Sequence, residues 1–143
     1  MLIIKKKDLK IVILGIGTDL TNINRIKKVL ECYGDRFRDK VFCKSENEQA
    51  VSQKEQANSY AKRWAAKEAF SKALGTGIGR GLSWKNMAVH NLKSGEPTMV
   101  INGWAETRLN QITPRGHKCK IHISLSDDYP WAQAFIIIES NPV

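Results

Sequence analysis

From Ile11 the chain runs apolar through Ile11-Val12-Ile13-Leu14-Gly15-Ile16-Gly17, a β-branched stretch that predicts a strand buried on both faces. Thr21 or Asn22 then caps a helix. Ile23, Ile26, Leu30 and Tyr33 mark its buried side and Gly34 its end. Ser45 and Glu48 have the spacing of a capping box and predict a short helix reaching about residue 52. Over 54–74 no Pro or Gly interrupts the chain, and Ala66, Ala69, Phe70, Ala73 and Leu74 fall at helical spacing. This is the long central helix, stopped at Gly75.

Two short strands follow, 84–92 and 98–101, joined by the turn Ser94-Gly95-Glu96-Pro97 and predicted to be antiparallel. A helix over 104–112 is broken by Pro114 and Gly116. Residues 118–126 alternate strictly. Cys119, Ile121, Ile123 and Leu125 fall on one face, and Lys120, His122, Ser124 and Ser126 on the other. Asp127-Asp128-Tyr129-Pro130 turns the chain, and 131–139 returns as a strand. The fold class is α+β, an antiparallel sheet packed with a long central helix.

Length allows one domain over 11–143, preceded by a basic leader over 1–10. Leu2-Ile3-Ile4 is too short for a signal-peptide core, and no apolar run approaches membrane-spanning length. The expectation is a soluble, cytoplasmic protein. Cys32, Cys43 and Cys119 are scattered and odd in number, so reduced thiols are expected rather than a disulfide framework or zinc site. With 23 Lys and Arg against 14 Asp and Glu, the formal charge of +9 implies an anionic partner without choosing one.

Several positions carry candidate chemistry. Asp19 closes the first strand, where an Asp either caps the next helix or is held as a metal ligand. Glu68 and Lys72, four apart, share a helix face and are either a surface ion pair or part of a site. Lys67 points elsewhere on that helix. The sequel Gly75-Thr76-Gly77-Ile78-Gly79-Arg80-Gly81 favours a site, because a glycine-rich turn lets backbone N–H groups approach a phosphate and Arg80 adds positive charge. No Gly-Lys-Ser/Thr closes it, so it is not a Walker loop. Gly15-Ile16-Gly17-Thr18-Asp19-Leu20 begins like a dinucleotide fingerprint but has Leu20 in place of the third glycine. His122 is either a solvated position on a sheet face or a ligand contact. Arg25 and Lys28 share an outward helix face.

Three segments together resemble the holo-acyl-carrier-protein synthase family, the small bacterial 4'-phosphopantetheinyl transferases. They are Gly15-Ile16-Gly17-Thr18-Asp19-Leu20, Trp64-Ala65-Ala66-Lys67-Glu68-Ala69-Phe70-Ser71-Lys72-Ala73-Leu74-Gly75-Thr76-Gly77 and His122-Ile123-Ser124-Leu125-Ser126. The resemblance implies transfer of phosphopantetheine from coenzyme A to a serine of apo acyl carrier protein, with release of adenosine 3',5'-bisphosphate, in support of fatty acid biosynthesis. It also implies Mg²⁺ and a homotrimer with active sites between subunits. Asp19 and Glu68 would be the metal ligands, and Asp19, Glu68 and Lys72 the catalytic set. Lys72, Gly75, Thr76, Gly77, Arg80, His122 and Ser124 would meet coenzyme A, with His122 near its 3'-phosphate. Arg25 and Lys28 would meet the acidic carrier, and Arg36, Arg38, Lys40 and Lys44 are candidates to extend that patch. The leader is longer than the family pattern requires, and Asp127-Asp128 is more acidic than usual after the His122 strand.

The rival expectation is a basic nucleic-acid-binding module using the leader with Arg36, Phe37 and Arg38. It explains the charge but leaves Asp19 and Glu68 without a purpose. No nucleic acid and no membrane are expected as partners on the transferase reading.

Overall fold

The computed structural model describes residues 11–143; the basic leader lies outside the described residues. Strand β1 (Val12–Asn22) leads into α1 (Ile23–Tyr33), α2 (Asp35–Val41), α3 (Lys44–Val51) and the long α4 (Gln56–Ala73). A 3₁₀ turn over Trp84–Asn86 precedes β2 (Met87–Asn91) and β3 (Pro97–Ile101). Then come α5 (Gly103–Ile112), β4 (His117–Asp128) and β5 (Trp131–Pro142). The main sheet has the antiparallel order β1-β5-β4, and β2 and β3 form a separate antiparallel pair.

Helix α4 lies across one face of the main sheet. Its sheet side is made of small residues, and β1 answers with glycine. A Cβ on Gly17 would overlap the carbonyl oxygen of Ala69, and one on Gly15 that of Ala73. The two elements meet backbone to backbone, a distance only Gly allows. Phe70, Ile136, Ile138, Met87 and Val89 are buried around this contact, each stabilising by about 1.5–3 kcal/mol. A second cluster, with Ile23, Ile26, Phe42, Tyr60 and Ala132, packs α1 and α2 against the start of α4.

Several expectations are corrected by packing. Strand β1 is not buried on both faces: Ile13, Ile16 and Leu20 are exposed at 51%, 59% and 60% on the side away from α4. Asn22 caps α1, its Oδ1 accepting from the Asn24 N–H at 2.9 Å, but Tyr33 faces outward. The capping box on α3 is Cys43 with Glu46, not Ser45 with Glu48, because Glu46 turns inward and accepts from the Cys43 N–H at 3.0 Å. Asp127 and Asp128 belong to β4, so the turn is confined to Tyr129 and Pro130. Phe37 is turned against Phe42 and Trp64, and Arg38 lies over Tyr60 and bonds Asp35, which removes the aromatic from the surface patch of the nucleic-acid reading.

Candidate active site

Asp19 and Lys72 meet where β1 passes the last turn of α4. The pairing Asp19↔Ala134 puts Asp19 on the helix-facing side of the sheet. Its Oδ2 accepts from Thr21 Oγ1 at 2.7 Å, and its Oδ1 lies 3.2 Å from Lys72 Nζ. Lys72 also donates to the Thr18 carbonyl at 3.0 Å. Of the two readings of Glu68 and Lys72, the ion pair within the helix is not formed; Lys72 pairs across elements with Asp19. Glu68 stands one turn before Lys72 on the same flank. Burial first, and then the negative charge of Asp19, push the Glu68 carboxyl above its ordinary range, while Lys72 and Arg25 oppose the shift.

A carboxylate whose ionisation is opposed by burial and by a neighbouring carboxylate, as at Glu68, suits a hard divalent cation. The described residues contain no group of three or more His, Cys, Asp or Glu that could hold a metal. The donor set fits Mg²⁺, which commonly takes one or two carboxylates and keeps waters and phosphate oxygens for the rest. Asp19 and Glu68 are the two carboxylates that would hold such an ion.

The glycine turn does something other than expected. Gly75 and Gly77 have φ of 80° and 65°, left-handed conformations that close a helix. The Gly75 N–H donates to Lys72 O at 3.0 Å, and the N–H groups of Thr76 and Gly77 donate to Ser71 O at 3.2 and 3.1 Å. The expectation that these N–H groups face a phosphate is not met, because the orphan carbonyls of the helix end take them. Arg80, with φ of 51°, remains exposed.

His122 and Ser124 are on the opposite face of the sheet. The rows Ile16–Ile137–His122 and Thr18–Phe135–Ser124 run across it, away from α4. Two strand spacings, roughly 10 Å, also separate β4 from β1. One chain therefore does not bring His122 to Asp19, Glu68 and Lys72. His122 Nε2 lies 3.2 Å from Glu139 Oε1. That bond first, then one from Asn141, holds the Glu139 carboxyl below its ordinary range. Arg25 and Lys28 are exposed on α1, with Arg25 near enough to Glu68 to affect its charge.

A polar recess of about 320 Å³ escaped the sequence reading. It lies on the other flank of α4, between the helix and the end of β4, and its lining includes Lys54, Asn58, Lys62, Arg63 and Asp127. Lys62 Nζ lies 3.2 Å from Asp127 Oδ1. Arg63 is only 5% exposed, bonds Ser59 and leaves its Nε without a partner. The available signal was an Arg one turn after a Ser on a side of the helix that otherwise reads as core.

Residues 15–134 match the family model described as the 4'-phosphopantetheinyl transferase superfamily. The chain belongs to this superfamily. Among its curated relatives, the holo-[acyl-carrier-protein] synthase of Dinoroseobacter shibae is 58% identical over 131 residues, covering 92% of this chain and 94% of the relative. The superfamily is equally plain in three dimensions. The crystal structure of the holo-[acyl-carrier-protein] synthase from Neisseria meningitidis is similar with a TM-score of 0.78 at 30% identity, over 89% of this chain and 98% of that one. The Bacillus anthracis enzyme, solved in complex with coenzyme A (3',5'-ADP), gives 0.71 at 32% identity, over 89% and 96%. The α+β architecture, with its antiparallel sheet and long helix, is thus the architecture of the superfamily. Among the described residues, no helix is long and apolar enough to cross a membrane.

Proposed function

We propose that this chain transfers the 4'-phosphopantetheine group of coenzyme A to a serine of apo acyl carrier protein, with Mg²⁺, and thereby supports fatty acid biosynthesis. The observation that carries the reading is the junction of Asp19, Glu68 and Lys72 between β1 and α4. The serine oxygen attacks the β-phosphorus of the pyrophosphate. The P–O bond to the nucleotide half breaks, and adenosine 3',5'-bisphosphate leaves with the electron pair. Lys72, already positioned beside Asp19, neutralises charge on the phosphoryl oxygens. Glu68, whose carboxyl is poised above its ordinary range, takes the serine proton directly or through a water. A Mg²⁺ ion held by Asp19 and Glu68 would supply further charge neutralisation at the pyrophosphate.

The complete site is proposed to lie between copies of the chain. Strands β1 and β4 are opposite edges of the sheet. A head-to-tail arrangement would set the β1 edge of one copy, with Asp19, Glu68 and Lys72, against the β4 edge of the next, with His122. Where its rotation closes, such an interface makes a ring, and the ring proposed here is a homotrimer. Ile13, Ile16, Leu20, Trp131 and Phe135 supply an exposed apolar face for it. His122 and Ser124 would then receive the phosphates and nucleotide of coenzyme A, with Arg80 and the turn at 75–77 bordering it. The acidic carrier docks on the exposed cations Arg25 and Lys28 of α1.

The test is intact-mass spectrometry of apo acyl carrier protein after incubation with this protein, coenzyme A and Mg²⁺. A phosphopantetheine-sized gain that disappears with chelator, Asp19→Ala or Glu68→Ala is expected. No gain on any carrier, with folded wild-type protein, would overturn the proposal.

A further inference from the structure

Lys67 is a charged residue with no exposed surface, immediately before Glu68 in α4. Its Nζ donates to Glu46 Oε1 at 2.7 Å, to Val41 O at 2.5 Å and to Trp84 O at 3.4 Å, and lies 5.0 Å from the centre of the Phe42 ring. Glu46 is equally enclosed, at 1% exposure. Its Oε1 also accepts from the Cys43 N–H at 3.0 Å, and its Oε2 from the Val89 N–H at 3.1 Å. The pair thus ties α4 to the end of α2, the start of α3, the 3₁₀ turn and β2.

On the sheet side α4 is held differently, by Ala69 and Ala73 against Gly17 and Gly15. These contacts set the distance between α4 and β1, and Phe70 and Leu74 are buried beside them, but they give the helix no directional polar anchor. Lys67 and Ala69 project roughly 200° apart on the helix. The ion pair therefore anchors the side of α4 opposite the sheet, and Glu68 projects between the two anchors. Buried ion pairs are weak contributors to net stability, and their best-attested use is to select one register.

We propose that the Lys67–Glu46 pair is a positioning device that sets the rotation of α4 and so aims the Glu68 carboxylate at Asp19. Lys67 and Glu46 are positioning residues and touch no reacting atom. This rests on the reading of Asp19 and Glu68 as the metal pair.

The test compares wild type, Lys67→Met, Glu46→Gln and Leu109→Ala, the last a core variant remote from the pair. Each is measured by thermal unfolding, by calorimetric titration with Mn²⁺ and by crystal structure. Lys67→Met is expected to weaken Mn²⁺ binding about tenfold and Glu46→Gln about threefold, with Glu68 rotated away from Asp19. The Mg²⁺ needed for half-maximal activity should rise in parallel, while the KM for the carrier stays within about twofold. Leu109→Ala should lower Tm and leave Mn²⁺ affinity unchanged. Unaltered Mn²⁺ affinity and an unmoved Glu68 in a folded variant overturn the proposal; Glu46→Gln, which keeps the volume of the side chain, decides it if Lys67→Met does not fold. If wild-type Mn²⁺ binding proves insensitive to Asp19→Ala, the metal reading fails instead, and the crystallographic position of Glu68 still judges the device.

Discussion

Lys72 reaches across from α4 to Asp19 on β1, Nζ to Oδ1 at 3.2 Å, joining residues 53 apart in sequence. The lysine is half exposed, so the pair contributes little to stability, about 0–1 kcal/mol. Its value is in positioning a cation beside the carboxylates before substrate arrives. Lys72→Met should lower kcat by about 10²-fold and shift Tm only slightly. Rate measurements by carrier mass gain, beside thermal unfolding, check both halves. A large fall in Tm with unchanged kcat would contradict this role.

Glu68 yields a pH prediction in metal-free protein. Its folded-state carboxyl is raised by burial and by Asp19, so the folded state binds the proton more tightly than the unfolded chain. The associated stability is fully present below the ordinary Glu range and is lost as pH rises through the raised folded value. Glu68→Gln removes that loss. In chelator it should raise Tm at neutral pH, with the gain vanishing below the ordinary Glu range, as thermal unfolding across pH would show.

Gly17 faces the carbonyl oxygen of Ala69 with no room for a Cβ. Gly17→Ala must therefore lift α4 from β1 and separate Lys72 from Asp19. A loss of about 1–3 kcal/mol by denaturant titration is expected, since overpacking in a close backbone contact costs this much, together with a fall in activity.

The site proposed between copies predicts complementation. Glu68→Ala and His122→Ala lie on opposite faces of the sheet. When the two variants are unfolded together and reassembled, mixed rings should contain some junctions with both residues intact. Activity regained on mixing, above either variant alone, is the expected outcome; none would contradict a site shared between Glu68 of one copy and His122 of another.

Arg25 and Lys28 stand exposed on α1. Reversing both to Glu should raise the KM for the carrier about tenfold at low salt and less at high salt, because screening acts on exposed charge. The KM for coenzyme A should not follow.

Sequence by itself determined the elements whose causes are local. Asn22 and Gly34 bound α1, strict alternation marks β4, and the uninterrupted helical pattern ending at Gly75 marks the last turns of α4. Each depends on residues within a turn or two of one another. The run of motifs through Asp19, Glu68, Lys72 and His122 also pointed to the superfamily before any contact was visible.

Tertiary structure decided what those residues meet. Glu46 rather than Glu48 turns inward because its partners, Lys67 and the Val89 N–H, lie 21 and 43 positions away. Lys72 pairs with Asp19, the turn at 75–77 spends its N–H groups on the helix, and His122 faces away from Glu68. Ile13 and Ile16 read as core and stand exposed. Periodicity fixes how a segment presents its side chains, but register and packing across the chain fix which partner each side chain finds.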